Sequence, residues 1–323
     1  MQHNWQDLAK IVADKLEAEP IKGEPKELYE PIVYTLSMGG KRIRPVLVLM
    51  AAELFGQASE SSLSIAKAVE IFHNFTLVHD DIMDEAPIRR GKQTVHEKWN
   101  RDIAILSGDV MFVKAYQELC LAKPEHLVRL LSLFNQTAIE VCEGQQMDMN
   151  FEQEEELELA DYLHMIKLKT AVLLAASLKL GAISADADTV QADLLYDFGL
   201  NLGLAFQIQD DYLDAFADPD QFGKKVGGDI VANKKTYLFL AALESGDETG
   251  KVALKKAMQI EEEPAKIKEV KALFESLGAK QKAKEAIKHY SDKAMNALAQ
   301  IERPEETKKP LQELAAFLMQ RGV

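Results

Sequence analysis

The sequence HDDIMD (residues 79–84) places three aspartates within a single helical turn of one another. Side chains three and four residues apart share one face of a helix, so these carboxylates would repel each other there. The same D-D-x-x-D spacing recurs in FQIQDDYLD (residues 206–214), far along the chain. Both copies end long apolar-rich segments with helical periodicity. We therefore expect two carboxylate clusters that face each other across a cavity and bind hard cations, and all-oxygen ligands favour Mg²⁺.

The rest of the chain has the same helical character. Apolar residues recur with the period of an α-helix, and no segment shows the alternating pattern of a β-strand. We predict long helices over Ser59 to Asp84, Leu157 to Leu180 and Asp188 to Phe216. The glycine- and lysine-rich segment Ala217 to Lys235 is predicted to be a loop that closes over an anion. Nothing marks a domain boundary, so the sequence predicts a single all-α domain over residues 1–323.

The composition describes a large acidic globular protein. The chain has 323 residues, of which 47% are hydrophobic and 28% charged, and its formal net charge is −14. That charge excludes a nucleic-acid partner, because nucleic-acid binding requires a basic surface. No apolar run reaches the ~18 residues of a membrane span, and residues 1–20 lack the apolar core of a targeting signal. We expect a cytoplasmic protein without stable membrane insertion. Cys120 and Cys142 are predicted to be buried as small apolar residues.

Cationic residues accompany both acidic clusters. The segment GGKRIRP (residues 39–45) carries three cations on a turn that follows two glycines. Arginine binds phosphate oxygens bidentately, whereas lysine binds them as a point charge. Cations beside carboxylates therefore indicate polyanions that are held partly through metal ions and partly directly. The other cations of this kind are Arg89, Arg90, Lys169, Lys224 and Lys234.

Together these motifs resemble those of the trans-isoprenyl diphosphate synthases, the family that joins isopentenyl diphosphate to an allylic diphosphate. The resemblance extends from Gly39 to Thr236 and includes every major motif in order. These motifs are GGKRIRP, HDDIMDEAPIRRG, GQ at Gly144 and Gln145, KT at Lys169 and Thr170, FQIQDDYLD, and GKKVGGD followed by NKKT. The resemblance implies the isoprenoid synthase fold, an all-α helical bundle around a deep central cavity, and a homodimer.

The resemblance also implies roles for individual residues. About three Mg²⁺ ions per active site would be bound by six aspartates, namely Asp80, Asp81, Asp84, Asp210, Asp211 and Asp214. The allylic diphosphate would be bound by Arg89, Lys169, Lys224 and Lys234. Isopentenyl diphosphate would be bound by Lys41, Arg44, His73 and Arg90, and the reacting centre would be lined by Thr170 and Gln207. The catalytic set would comprise Asp80, Asp81, Asp84, Arg89, Lys169, Thr170, Gln207, Asp210, Lys224 and Lys234.

The implied reaction is a Mg²⁺-dependent head-to-tail (1′-4) condensation of isopentenyl diphosphate with dimethylallyl, geranyl or farnesyl diphosphate. Loss of diphosphate from an allylic carbon creates a carbocation and a leaving group of high negative charge. Metal ions and fixed cations stabilise that leaving group, and apolar walls keep water from the carbocation. No side chain is an obvious general base, so the departing diphosphate is the expected proton acceptor, as in the family.

Product length is expected to depend on the helix before the first cluster. Phe75 lies five residues before Asp80, ~7.5 Å along a helix axis. An aromatic at this position resembles the short-chain members of the family, so we predict a C20 (geranylgeranyl) product, with C15 (farnesyl) second. Phe72 and Thr76 are the other candidate chain-length residues. An ideal helical wheel turns Phe75 away from Asp80 and Asp84. Either the helix departs from ideality or Phe75 acts through its neighbours.

Several other functions remain open at this point. A medium- or long-chain polyprenyl diphosphate synthase would have the same motifs. A non-enzymatic subunit that modulates a partner synthase is a further alternative, although such subunits typically lose their acidic clusters. A terpene cyclase or a head-to-head synthase usually has a different second motif. A di-iron carboxylate bundle requires two Glu-x-x-His pairs, and only Glu70 with His73 provides one.

Overall fold

The computed structural model describes residues 3–56, 58–154, 156–217 and 226–319, and nearly all of its regular structure is helical. A five-residue π-helical turn, Lys167–Ala171, separates α8 from α9. The α-helices in these ranges are α1 (Trp5–Ala18), α2 (Lys26–Ser37), α3 (Ile43–Phe55), α4 (Glu60–Met83), α5 (Val95–Lys98), α6 (Arg101–Leu119), α7 (Pro124–Gln153), α8 (Leu159–Ile166), α9 (Val172–Ser184), α10 (Thr189–Phe216), α11 (Gly228–Val231), α12 (Tyr237–Ser245), α13 (Glu248–Ala257), α14 (Glu263–Ser276), α15 (Ala279–Ala299) and α16 (Glu305–Met319). The predicted all-α class is confirmed.

The helices group into two compact units. The first comprises Met1–Gln136, Ala176–Tyr196 and Ile301–Leu311, and the second comprises Thr137–Ala175, Asp197–Gln300 and Gln312–Val323. The first acidic cluster belongs to the first unit and the second cluster to the second unit. A single domain over residues 1–323, a central cavity and the facing of the two clusters stay predictions.

The helix that carries the first acidic cluster, α4, has ends that the sequence specifies. The Ser59 hydroxyl caps its first turn by accepting a hydrogen bond from the Ser62 amide at 3.2 Å. At the other end, the Asp84 amide donates to the Asp80 carbonyl at 2.8 Å. Apolar residues such as Phe72 bury the inner face of the helix in the core of the first unit. The predicted span therefore agrees with the structure to within one residue at each end.

A short β-hairpin follows α4, although the sequence shows no alternating strand pattern there. Strand β1 (Ile88–Arg89) pairs antiparallel with β2 (Lys92–Gln93), and Ile88 lies opposite Gln93. The two turn residues, Arg90 and Gly91, have φ values of 52° and 74°. Positive φ at both central residues is typical of type I′ turns, whose twist matches that of paired strands. Both arginines of this segment therefore lie on a constrained hairpin.

Three further predictions need correction or restriction. Both cysteines are exposed, so their predicted burial is wrong; Cys120 caps the end of α6 and Cys142 lies on an outward position of α7. The helix predicted over Leu157 to Leu180 is interrupted by the π turn. Part of the predicted loop Ala217 to Lys235 forms α11, and Lys224 lies outside the described residues. No helix in the described ranges is both long and apolar enough to cross a bilayer.

Candidate active site

The first acidic cluster has two carboxylates that are not fully buried and one that is buried and bound by an arginine. Asp80 is half-buried and Asp84 is exposed, both at the C-terminal end of α4, where unpaired carbonyls favour cations. Asp81 is buried, and Arg89 binds its Oδ1 through Nε and Nη2, each at 2.7 Å. Burial raises the pKa of Asp81, and the Arg89 charge opposes that rise. Asp81 thus fixes the hairpin residue Arg89 against α4.

A cluster of arginines surrounds His73, seven residues before Asp80 on the same face of α4. The Arg44 guanidinium donates from Nη1 to His73 Nε2 at 3.1 Å, because guanidinium has no acceptor. His73 is therefore protonated on Nδ1. Burial and then the charges of Arg44, Arg90, Arg89 and Arg42 lower the pKa of His73 well below its usual value, so it is neutral at pH 7. Arg44 Nε is buried and has no hydrogen-bond partner among the described residues.

The glycine turn before α3 holds Arg90. Arg90 Nη1 donates to the carbonyl of Gly39, and Gly40 has a φ of 124°, which disfavours other residues. A methyl group on Gly40 would lie 2.8 Å from Arg90 Cζ, so the turn leaves room for this guanidinium. Lys41, the next residue, is exposed. Arg44, Arg90 and Lys41 are thus near the same turn, and all three belong to the set that the resemblance implies for isopentenyl diphosphate.

Arg42, the middle cation of GGKRIRP, has an internal role instead. Its guanidinium binds the Glu70 carboxylate and the Leu36 carbonyl, and the side chains of Arg42 and Glu70 are only 7% and 2% exposed. Asn74 Nδ2 donates to Glu70 Oε1 at 2.7 Å. Glu70 is therefore engaged by its neighbours, and the structure gives the di-iron alternative no support.

The second acidic cluster also has a buried middle aspartate. Asp211 Oδ2 accepts hydrogen bonds from the Tyr162 hydroxyl at 2.5 Å and from the Tyr237 amide at 3.0 Å. Gln207 Nε2 donates to Asp211 Oδ1 at 3.4 Å. Burial raises the pKa of Asp211 to about 7, although these hydrogen bonds oppose the rise. Asp211 thereby connects α10 to α8 and to the start of α12.

The outer aspartates of this cluster lie beside a fourth carboxylate that the sequence analysis missed. Asp210 is exposed, and Asp214 Oδ2 accepts a hydrogen bond from the Asp229 amide at 3.0 Å. Burial raises the pKa of Asp214 and of Asp229, and the charge of Asp210 adds to both shifts. Lys234 Nζ lies 3.6 Å from Asp229 Oδ1. The sequence signal for Asp229 is its position as the last residue of GKKVGGD, one of the motifs that carry the family resemblance.

The KT motif lies on the π turn, and each of its residues has a polar partner. Lys169 Nζ binds Asp148 Oδ2 at 2.5 Å, and Thr170 Oγ1 donates to Gln207 Oε1 at 3.4 Å. The contact of Thr170 with Gln207 brings together two predicted residues of the reacting centre. Asp148 was missed, although it follows the GQ motif on α7 by three residues.

Two of the candidate chain-length residues, Phe72 and Phe75, belong to an aromatic cluster formed by α4, α6 and α7. The rings of Phe75 and Phe112 stack with centroids 5.0 Å apart, and Phe72 contacts Phe134 at 5.1 Å. The helix α4 is a continuous α-helix over these residues, so no helical irregularity turns Phe75 towards the aspartates. Thr76 donates its hydroxyl hydrogen bond to its own helix. Phe112 and Phe134 were missed because nothing in their local sequence distinguishes them from core residues.

The donor set fits Mg²⁺ bound together with substrate. Among the described residues, no group of three or more histidine, cysteine or acidic side chains is placed to hold a metal ion by itself. Mg²⁺ is commonly bound by one or two carboxylates together with water and substrate phosphates, so a complete protein cage is not required. Asp80 with Asp84, and Asp210 with Asp214, supply pairs of carboxylates of this kind at two helix ends.

An all-α chain with two D-D-x-x-D helix ends, each beside cationic side chains, defines the class of isoprenoid synthases that act on diphosphates. A family model described as Polyprenyl synthetase matches residues 25–277. The chain therefore belongs to the polyprenyl synthetase family. It is a prenyltransferase that makes prenyl diphosphates.

Similar proteins agree with this assignment. A geranylgeranyl pyrophosphate synthase of Geoglobus acetivorans is 38% identical over 317 residues, which cover 98% of this chain and 97% of the relative. A geranylfarnesyl diphosphate synthase of Natronomonas pharaonis is 39% identical over 241 residues, which cover 69% of this chain and 71% of the relative. A crystal structure of a geranylgeranyl pyrophosphate synthase is similar with a TM-score of 0.94 and 43% identity, and the match covers 100% of both chains.

Proposed function

We propose that this chain condenses isopentenyl diphosphate with allylic diphosphates head to tail (1′-4) and that its main product is all-trans geranylgeranyl diphosphate (C20). The observation that carries the proposal is the arginine cluster around His73. Arg44 Nε is a buried, charged donor without a hydrogen-bond partner among the residues that the structure describes, and the neutral His73 ring does not neutralise the guanidinium beside it. A buried donor of this kind favours an anion with several acceptor oxygens, such as a diphosphate.

The first unit supplies the binding groups for isopentenyl diphosphate. Arg44 and Arg90 present guanidinium groups, Lys41 an exposed ammonium group, and His73 Nδ1 a further donor. The Gly39 carbonyl and His73 Nε2 already orient two of these cations, so little side-chain entropy is lost when the ligand binds.

The allylic diphosphate would be bound by Arg89, Lys169, Lys224 and Lys234. The first two have carboxylate partners, Asp81 and Asp148, which hold their charged ends in place. Such preorganised cations stabilise charge that develops on a leaving diphosphate without reorganising during the reaction.

Mg²⁺ would be held by Asp80, Asp84, Asp210 and Asp214. The resemblance implies about three ions per active site. When bound, the ions neutralise negative charge on the allylic diphosphate. Asp81 and Asp211 would instead be positioning residues, because Arg89 and Tyr162 engage their carboxylates.

The reaction breaks the allylic C–O bond and forms a C–C bond from the alkene of isopentenyl diphosphate to the resulting carbocation. A proton is then lost from the isopentenyl unit, and the departed diphosphate accepts it. Thr170 and Gln207 would line the reacting centre, and their hydrogen bond keeps both polar side chains satisfied. Fixed dipoles of this kind stabilise a transient cation without acting as nucleophiles.

The aromatic cluster supports a short product. Phe75 is stacked against Phe112, and Phe72 contacts Phe134 edge to face, so the groups below the first acidic cluster are large and held by mutual contacts. A chain that grows along α4 would meet this cluster about 7.5 Å along the axis from Asp80. Because one similar protein is named a geranylfarnesyl diphosphate synthase, a geranylfarnesyl product is the alternative outcome of the test.

The test is condensation by the purified chain. Radiolabelled isopentenyl diphosphate is supplied with dimethylallyl, geranyl or farnesyl diphosphate, with Mg²⁺ or with excess chelator, and the products are separated by chain length. We expect Mg²⁺-dependent C20 product, and Asp80→Asn to reduce the rate by about 100-fold or more. Asp14→Asn, which changes an exposed helical aspartate on α1, is the matched control and should retain the wild-type rate. A product of C30 or longer contradicts the assigned length, and metal-independent turnover contradicts the site.

We also propose that the chain is a homodimer, with α6 in the interface. Leu106 and Val113 are each 56% exposed and lie seven residues apart, so they form one apolar side of this helix. Contiguous exposed apolar residues are typical of protein interfaces. A cytoplasmic location remains a prediction of the sequence.

A further inference from the structure

The π turn Lys167–Ala171 carries two of the candidate reaction residues, Lys169 and Thr170. Helices rarely contain π turns, and those that occur are frequently at functional sites. A turn of this kind needs contacts that favour it over the regular helix. In this chain the contacts come from the parts of α7 and α10 that belong to the second unit.

On α7, Gly144 lies directly against the backbone of the turn. A methyl group on Gly144 would be 2.3 Å from the backbone nitrogen of Lys169 and 2.7 Å from its Cα. Such distances do not occur between real Cβ atoms and backbone, so alanine at this position would displace the turn. Gly144, the glycine of the GQ motif, has no role in the proposed function. It is nevertheless in close contact with the backbone of the π turn that carries Lys169 and Thr170.

On α10, Gly203 makes the equivalent approach at the end of the turn. A methyl group there would be 2.7 Å from Ala171 Cα and 2.8 Å from Ala171 Cβ. The two glycines thus contact adjacent parts of the same five residues from two different helices. Neither approach leaves space for a side chain.

Each helix makes a second contact with the turn, four residues after its glycine. Asp148 follows Gly144 on α7 and binds Lys169, and Gln207 follows Gly203 on α10 and accepts a hydrogen bond from Thr170. Residues four apart share a helical face, so one face of each helix holds both the backbone and a side chain of the turn.

We propose that Gly144 and Gly203 are positioning residues, which clamp the π turn so that Lys169 and Thr170 are held at the allylic substrate. This inference rests on the proposed function. Displacement of a reacting group by about 1 Å can cost on the order of 100-fold in rate. The loss should fall on the allylic substrate, because the turn carries Lys169, whereas the groups for isopentenyl diphosphate lie in the first unit.

The experiment compares steady-state kinetics of Gly144→Ala and Gly203→Ala with those of wild type and Gly181→Ala. Gly181, on α9, is the matched control, because a methyl group there would lie 2.1 Å from the carbonyl oxygen of Val48, which is also backbone but belongs to α3 and not to the turn. KM does not depend on the fraction of molecules that is folded, so a loss of stability alone leaves it unchanged.

We expect KM for the allylic diphosphate to rise about tenfold or more in both variants, with KM for isopentenyl diphosphate within about twofold of wild type. Gly181→Ala should leave KM for the allylic diphosphate near wild type, even where its melting temperature falls. Equal changes in both KM values, or values that match those of Gly181→Ala, would overturn the inference. If neither alanine variant folds, Asp148→Asn decides by the same comparison. An inactive wild type would contradict the proposed function itself, which keeps the two failures distinct.

Discussion

Asp211 should make the protein less stable as the pH rises. Burial raises the pKa of its carboxyl from 3.8 to about 7 in the folded protein. Between these values the folded state retains a proton that the unfolded state releases, so the free energy of unfolding falls as the pH rises. One pKa unit corresponds to about 1.4 kcal/mol, and the full penalty is about 4 kcal/mol above the folded pKa. Between about pH 5.5 and about pH 8, the free energy of unfolding should therefore fall by about 2 kcal/mol.

The assay is urea unfolding, followed by far-UV circular dichroism in excess chelator, for wild type and Asp211→Asn. The asparagine oxygen can still accept hydrogen bonds from the Tyr162 hydroxyl and the Tyr237 amide, but the side chain cannot ionise. Asp214 and Asp229, whose pKa values are also raised, are present in both proteins and cancel in the difference. The wild type should lose about 2 kcal/mol relative to the variant over this pH range, with equal dependence on urea concentration.

A second variant tests the cause of the shift. Tyr162→Phe removes a hydroxyl that stabilises the charged carboxylate, so the pKa of Asp211 should rise further and the loss should move to higher pH. If the curves of wild type and Asp211→Asn stay parallel from about pH 5.5 to about pH 8, Asp211 is ionised throughout. Its burial would then not carry the electrostatic cost on which this reasoning depends.

Three further predictions concern product length, stability and assembly. Phe112→Ala should lengthen the product by at least one isoprene unit on chromatography, because Phe75 loses its stacking partner; unchanged length would contradict the role of the stack. Arg42→Leu leaves the Glu70 carboxylate buried without its cation and should cost about 3–5 kcal/mol in urea unfolding, whereas a loss below 1 kcal/mol would contradict the internal role. Val113→Glu should halve the mass measured by light scattering, whereas Val252→Glu, at a similarly exposed valine of α13, should leave it unchanged.

The sequence allowed the helices and most candidate site residues to be predicted because both depend on local spacing. Apolar periodicity predicted α4 to within one residue, the D-D-x-x-D spacing made Asp80 a candidate, and the family resemblance implied His73. Phe112, Asp148 and Tyr162 could not be found in this way, since each acts on a residue at least 21 positions away. Their partners are determined by how helices pack, which local sequence does not encode. The prediction that both cysteines are buried was wrong for the same reason, because apolar neighbours in the sequence do not establish which face of a helix points inward.

The two copies of the D-D-x-x-D motif place their aspartates in similar surroundings. Successive residues of a helix are about 100° apart around its axis, so the first and fifth positions lie about 40° apart, whereas the second lies about 100° from the first. In both copies, the second aspartate is buried and holds a neighbouring element: Asp81 binds Arg89 of the hairpin, and Asp211 binds Tyr162 of α8. The outer aspartates are exposed or half-buried. We therefore propose that the second carboxylate orients the surroundings of the cluster while the outer pair binds cations, a division that gives each of the three acids at a helix end a role.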